Sequence, residues 1–214
     1  MKISLVEYDA GNLPSVERAL ARQHIVCERV ATPEAVRGAD ALILPGVGHF
    51  GQLMRTLAAR HLVVPLTEVI ARGTPLLGIC LGLQALFAGS AEAPGDPGLN
   101  LFAGQVAALP ATAKLPHMGW NQLERRRASV LLEGVSAGAY FYFAHSYAAL
   151  DNGDIGDSAV AKCDHGAPFV AVLERANVLA VQFHPEKSAE AGARVLQNFV
   201  AYAAATQAQP KSGA

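Results

Sequence analysis

A cysteine held between two glycines at the end of an apolar run constrains this chain more than any other feature. Thr74-Pro75-Leu76-Leu77-Gly78-Ile79-Cys80-Leu81-Gly82-Leu83-Gln84 reads as a buried strand turning sharply into an amphipathic helical segment, Leu83 to Ala88. The pattern is the cysteine form of the G-x-S-x-G elbow, which sets its central residue at the apex of a strained turn. Side chains at Gly78 and Gly82 would collide there with neighbouring backbone. At a helix N-terminus the thiol would meet free N–H groups and the positive end of the macrodipole, which favour thiolate, and the N–H of Leu81 would be a donor toward a developing oxyanion. Taken alone, G-x-C-x-G fits a buried structural cysteine equally well.

The remainder of the chain says what surrounds such an elbow. Residues Ile3 to Glu7 read as a buried strand, Asp9 to Asn12 as a turn, and Ser15 to Gln23 as a helix with Pro14 in its first turn. Ile25 to Val30 follows as a strand. Thr32-Pro33-Glu34 caps a short helix ending at Gly38, and Ala41 to Leu44 is an apolar strand running into Pro45-Gly46-Val47-Gly48. Helical patterns cover Phe50 to Arg60 and Pro65 to Arg72. Uniformly apolar strands alternating with helices predict a parallel sheet covered on both faces.

After Ala93-Pro94-Gly95-Asp96-Pro97-Gly98 the character changes. Short strands with turn signals are expected at Gln105 to Leu109, Asn121 to Glu124, Tyr140 to Tyr147, Ala159 to Cys163, Phe169 to Glu174 and Val178 to Phe183. They form a mixed or antiparallel half that completes and flanks the first sheet. A helix from Ser188 to Ala205 closes the fold. Residues 1–205 are expected to be one domain, and the polar tail 206–214 to be disordered.

Composition excludes several function classes. A formal net charge of −1 gives no footprint for nucleic acid or an anionic membrane, and Arg125-Arg126-Arg127 reads as a solvated surface run. No apolar run is long enough to span a bilayer, and the N-terminus turns acidic too early for a secretion signal. Cys27, Cys80 and Cys163 are odd in number with no CxxC pair, which points to a reducing cytoplasm rather than a disulfide framework or structural zinc.

Val178-Leu179-Ala180-Val181-Gln182-Phe183-His184-Pro185-Glu186 gives the elbow its meaning. An apolar strand delivers His184 at its C-terminal end, where open α/β sheets place their sites. Glu186 stands two residues on, so in extended geometry both side chains point the same way. A cysteine nucleophile needs a base for its proton and a carboxylate to orient that base, and Cys80, His184 and Glu186 supply the three. Pro45-Gly46-Val47-Gly48 reads as a further source of oxyanion N–H groups, although PGxG is also an ordinary turn.

Gly78 to Gln84 together with Gln182 to Glu186 resembles the class I (triad) glutamine amidotransferases. Tyr8-Asp9-Ala10-Gly11-Asn12, Pro45 to Gly51, Pro116-His117-Met118-Gly119-Trp120-Asn121, Tyr142-Phe143-Ala144-His145-Ser146-Tyr147 and Glu186-Lys187-Ser188 are similar to the glutaminase subunits of imidazole glycerol phosphate synthases. The resemblance implies a flavodoxin-like three-layer α/β fold with a mostly parallel central sheet and an added smaller mixed sheet. It implies hydrolysis of L-glutamine through a cysteinyl thioester, with no metal or organic cofactor, and ammonia passed to a separate (β/α)8-barrel cyclase subunit in a heterodimer of histidine synthesis. Cys80 would be nucleophile, His184 general acid and base, and Glu186 the orienting carboxylate. Gly48 and Leu81 would hold the oxyanion, with the Pro45 to Gly48 strand turning into place on a signal from the partner. Gly46, Gly48, Gln84, Glu92, His145, Ser146 and Tyr147 would bind glutamine or shape its pocket. Asn12, Met118, Trp120, Tyr142 and Lys187 would face the partner. Trp120 and Tyr142 also fit a role as core aromatics, and Gln84 fits a helix-surface amide. His49 stands where the family more often has a small residue and is expected to face solvent.

Two competing readings separate on particular residues. A glutaminase of anthranilate, GMP or pyridoxal phosphate synthesis would differ at Pro116 to Asn121 and Tyr142 to Tyr147. A redox-sensing protein on the same fold would need neither His184 with Glu186 nor Gln84.

Overall fold

A computed structural model of the protein describes residues 1–8, 12–151 and 155–208. The expected turn at Asp9 to Asn12 therefore lies outside the described residues except for Asn12, as do residues 209–214 of the expected tail.

The first half alternates as its apolar pattern requires. β1 (Ile3–Val6), α1 (Leu13–Ala21), β2 (Cys27–Val30), α2 (Pro33–Arg37), β3 (Ala41–Gly46), α3 (Phe50–Ala59), α4 (Val63–Ala71) and β4 (Leu76–Cys80) are followed by a single helical turn, α5 (Leu81–Gln84). Thr32 caps α2 as its sequence predicts, its hydroxyl accepting from Ala35 N–H. Next come β5 (Phe87–Ser90), β6 (Phe102–Ala108), β7 (His117–Gln122), β8 (Glu124–Arg125), β9 (Tyr140–His145), β10 (Tyr147–Ala148), β11 (Ala159–Asp164), β12 (Pro168–Arg175), β13 (Val178–Val181) and α6 (Ala189–Ala208).

The main sheet has eight strands in the order β2-β1-β3-β4-β13-β12-β11-β8. β2, β1, β3, β4 and β13 run parallel, and β12, β11 and β8 extend the sheet antiparallel. Alternate residues of each central strand feed opposite cores. Leu42 and Leu44 pack with Val36, Phe50, Leu57, Leu66 and Val69 under α2, α3 and α4. Ala41 and Ile43 pack with Leu13, Val16, Leu20, Leu196 and Phe199 under α1 and α6. Each fully buried leucine or phenylalanine contributes about 1.5–3 kcal/mol relative to an exposed one, which is why strands apolar on both faces sit in the middle. A three-stranded sheet, β10-β6-β5, and the β7-β9 pair form the added layers.

Several boundaries depart from expectation: β6 begins at Phe102 rather than Gln105, and β7 spans His117–Gln122 rather than Asn121 to Glu124. The helix after the elbow ends at Gln84 rather than Ala88, because residues 87–90 pair with β6. Leu86 O accepts from both Leu101 and Phe102, so the backbone leaves the helix to join that sheet, and Gly89 and Ser90 offer little helical resistance. At the other end α6 continues to Ala208, past the expected start of the tail. Among the described residues no helix is long and apolar enough to cross a membrane.

Candidate active site

Strand ends put the site together. β3 and β4 lie side by side with Gly46 opposite Cys80, and β13 pairs with the other edge of β4 as far as Val181 opposite Ile79. Continuing from β13, the chain brings His184 to the same C-terminal edge. Cys80 has φ +53°, left-handed for a residue with a Cβ and a strained conformation of the kind an elbow imposes. The glycines around it are required by contact distances. A Cβ on Gly82 would stand 1.9 Å from Leu44 O, and one on Gly46 would stand 2.6 Å from Gly82 N. Because α5 is one turn, its local N–H groups rather than a long helix dipole are what the elbow presents to Cys80.

His184 and Glu186 meet, although not by extended alternation. Pro185–Lys187 is a 3-10 turn with His184 as its N-cap. Proline's fixed φ bends the chain there, so Glu186 comes up beneath the imidazole and its Oε1 lies 2.9 Å from His184 Nδ1. Both side chains are almost wholly buried. Burial disfavours the imidazolium, but the adjacent Cys80 sulfur, through charge and a hydrogen bond, and then Glu186 outweigh it. His184 therefore holds its proton well above the ordinary histidine range. The Ser188 hydroxyl locks the turn, donating to His184 O at 2.7 Å and accepting from Tyr142 N–H at 2.9 Å.

A cavity of about 410 Å³ opens on Cys80 and His184. Gly48, Leu81, Gln84, Glu92, His145, Ser146 and Tyr147 line it, as do Met118 and Lys187. Gly46 is not among the lining residues; it pairs with Cys80, where a Cβ would stand 2.6 Å from Leu81 Cβ and Gly82 N. Gln84 is buried rather than a surface amide, and its Nε2 donates to Tyr147 O at 2.7 Å and Gln182 Oε1 at 3.3 Å. Glu92 Oε2 accepts from Phe50 N–H at 2.7 Å at the start of α3. His49 is exposed as expected, and its Nδ1 caps the same helix by accepting from Gly51 N–H.

His145 belongs to a stack of rings. His117 lies parallel to His165 with centroids 4.1 Å apart and to Phe143 at 4.7 Å, and its Nδ1 is 3.3 Å from His145 Nε2. Tyr147 O, 2.9 Å from His145 Nδ1, can only accept, so that nitrogen carries the hydrogen and Nε2 accepts from His117. Burial, reinforced for each by a neighbouring histidine, lowers His117 to about 4 and His145 to about 3. Both nitrogens of His145 are thus engaged within the protein, and the ring forms a neutral wall of the cavity.

Toward the rim, Met118, Trp120 and Tyr140 are exposed. Trp120 meets the half-buried Tyr142 edge to face at 6.0 Å, and Lys187 Nζ lies 5.5 Å from the Tyr142 ring centre. Trp120 is therefore not a core aromatic. Asn12 is partly buried and begins α1, its carbonyl accepting from Ser15 and Val16 N–H.

Gln182, which the sequence places in a motif without giving it a role, also belongs to the site. Fully buried, it donates to Cys80 Sγ at 3.6 Å and receives Gln84 Nε2. A lone amide within an apolar strand was its signal, since such a group must find partners on burial.

An elbow cysteine, a histidine and a carboxylate brought together at the carboxyl edge of a doubly wound sheet are the arrangement a cysteine-dependent amidase requires. A crystal structure titled glutamine amidotransferase superposes with TM-score 0.73 at 22% identity, covering 94% of this chain and 98% of that one. The Thermotoga maritima PurLQS structure gives 0.74 at 20% identity, with 94% and 98% covered. A family model described as glutamine amidotransferase class-I matches residues 7–203. The chain belongs to that family and, within it, to the HisH subunits of imidazole glycerol phosphate synthase. It is 43% identical to HisH of Moorella thermoacetica (92% of this chain, 93% of the relative) and 45% identical to HisH of Thermococcus kodakarensis (92% and 98%). With HisH of Deinococcus radiodurans identity is 46%, with 92% of each covered.

Proposed function

We propose that this chain is the glutaminase subunit of an imidazole glycerol phosphate synthase, with Cys80, His184 and Glu186 as its triad. The observation carrying the reading is the buried His184, hydrogen-bonded to Glu186 and lining one cavity with Cys80. Cys80 thiolate attacks the side-chain amide carbon of L-glutamine. The oxyanion is held by the N–H groups of Leu81 and Gly48. His184 protonates the departing nitrogen, ammonia leaves, and a thioester remains on Cys80. Water then loses a proton to His184 as it attacks the thioester, releasing glutamate and restoring the thiol.

Substrate recognition follows from the lining. Glu92, the acid among the lining residues, takes the α-ammonium group, and Gln84, Ser146 and Tyr147 fix the remainder of the molecule, with Gly46 shaping the pocket through its place opposite Cys80. Trp120, Met118, Tyr142, Lys187 and Asn12 form the face toward a (β/α)8-barrel cyclase subunit in a heterodimer. Near neutral pH free ammonia is mostly ammonium and a poor nucleophile, so a sealed route into that partner suits the chemistry. One domain over residues 1–205 carries these functions, in a cytoplasmic complex, with no cofactor called for by the mechanism.

Glutamate release from glutamine is the test, measured for the purified chain alone and with a barrel subunit carrying its ribonucleotide ligand. Low basal release that rises with the liganded partner and vanishes in Cys80→Ala supports the reading. Full activity without a partner, or none with it, overturns it.

A further inference from the structure

A relay of amide groups aims a hydrogen-bond donor at Cys80, and its chemistry allows only one direction. Tyr147 O can only accept, so the end of the Gln84 amide lying 2.7 Å from it is the amino end, Nε2. The same Nε2 lies 3.3 Å from the Gln182 amide, which must therefore turn its oxygen, Oε1, toward Gln84. Gln182 Nε2 is left facing the other way, where it donates to Cys80 Sγ at 3.6 Å. Both glutamines are buried, and the Gln182 main chain is held as well, its N–H donating to Ala171 O at 2.9 Å. Turning the Gln182 amide over would set donor against donor at Gln84 in a place water does not reach, so the relay keeps its sense.

We propose that Gln182 is a fourth catalytic residue, its amide N–H stabilising the Cys80 sulfur as thiolate before attack and again as the thioester breaks, with Gln84 and Tyr147 O positioning it. A thiol sulfur is a weak acceptor, whereas a hydrogen bond to an ionised group is about twice as strong as a neutral one. The donation therefore favours the charged sulfur over the neutral one. In the first half of the reaction Cys80 gives its proton to His184 and the sulfur carries the charge toward the amide carbon. In the second half, water oxygen bonds to the acyl carbon and its proton passes to His184. The carbon–sulfur bond then breaks and its electron pair returns to sulfur. His184 Nδ1 is committed to Glu186 Oε1 throughout, and its other nitrogen is receiving the proton of water. At that moment the imidazole has no hydrogen to offer the departing sulfur, and Gln182 has one. An amide also suits the task because it donates without ever protonating the nucleophile.

This inference rests on the glutaminase reading, and the experiment separates the two. Full-length Gln182→Met keeps the length of the side chain and removes its donor. Alkylation of Cys80 by iodoacetamide, followed by mass spectrometry of the peptide that carries it, reads the thiolate without partner or glutamine. In Gln182→Met the rate at pH 6 is expected to fall about tenfold, the low end for a hydrogen bond to a charged group, and to converge on that of the unmodified chain as pH is raised to 10. With glutamine and the liganded barrel subunit, kcat is expected to fall about tenfold with a smaller change in KM. In the ¹⁵N-labelled unmodified chain, the Gln182 side-chain amide resonance is expected to move over the pH range in which alkylation accelerates, a reading that does not depend on the variant folding. Alkylation at pH 6 as fast as in the unmodified chain overturns the proposal, and so does slowing by one factor at every pH, which a merely structural role would give. An amide resonance that stays in place across that range overturns it equally. Absence of glutamate release from the unmodified chain with liganded partner overturns the glutaminase reading itself, while alkylation still decides whether Gln182 holds the thiolate.

Discussion

Gly82→Ala asks whether the elbow depends on backbone touching backbone. The new methyl would stand 1.9 Å from Leu44 O and 3.0 Å from Leu44 C, where ordinary contact begins at 3.4 Å, so something must retreat by about 1.5 Å. β3 has no easy direction to give, being bonded to β1 on one edge and β4 on the other. The clash is with a main-chain carbonyl rather than the far end of a flexible side chain. Overpacking of this kind costs ~1–3 kcal/mol, which in a domain of this size lowers Tm by roughly 2–12 °C. The larger effect falls on chemistry. Shifting the Cys80 thiol by about 1 Å relative to His184 is enough for a hundredfold loss of kcat. Urea unfolding followed by circular dichroism gives the first quantity, and glutamate release with liganded partner gives the second. Gly95→Ala is the control, since a Cβ there meets nothing within 4 Å. Should Gly82→Ala unfold at the same urea concentration as the unmodified chain and keep kcat within threefold, the contact argument is wrong.

Three further expectations use other parts of the molecule. Glu186→Gln removes the charge 2.9 Å from His184 Nδ1 and should lower kcat by about 10²–10⁴ with a much smaller change in KM; a loss below tenfold would remove Glu186 from the triad. Glu174 accepts from the Ser129 hydroxyl at 2.7 Å and from Leu131 N–H at 2.9 Å, so Glu174→Ala orphans buried donors and should lose about 2–4 kcal/mol in urea unfolding, far more than Arg126→Ala on the same edge. His117 is lowered from the ordinary 6.5 to about 4, so it is neutral in the folded chain while the unfolded chain takes up a proton; its contribution is complete above pH 6.5 and is lost as pH falls toward 4, at up to ~1.4 kcal/mol per pH unit. Urea midpoints measured from pH 7 to pH 4 should therefore decline less steeply in His117→Phe, and parallel curves would refute the assignment.

Legibility in the sequence follows how local each cause is. Gly78, Cys80 and Gly82 could be read because the constraint is a backbone clash within a few residues of the cysteine. The α/β alternation through residue 80 was equally legible, since strands apolar on both faces have few other uses. Residues 83–88 misled because Leu83, Leu86 and Phe87 fit a helical stripe. Whether that stripe folds as helix or strand was decided by Leu101 and Phe102, whose N–H groups take Leu86 O. Glu186 was correctly paired with His184 through the wrong geometry: Pro185 makes a 3-10 turn where extended spacing was expected. Gln182 gave the least warning of a role: it closes an apolar strand region, and the significance of its amide lies in partners far off in sequence.

The same strand joins the rim aromatics to the triad. Tyr142 O accepts from His184 N–H at 2.8 Å, and Tyr142 N–H bonds the Ser188 hydroxyl that in turn holds His184 O. The Tyr142 ring meanwhile faces Trp120 and Lys187 at the surface. A protein docking on Trp120 and Lys187 would thus load a residue whose own backbone is hydrogen-bonded to His184. Packed interiors yield in discrete steps rather than by continuous deformation, so contact at this rim has a short physical path to the chemistry.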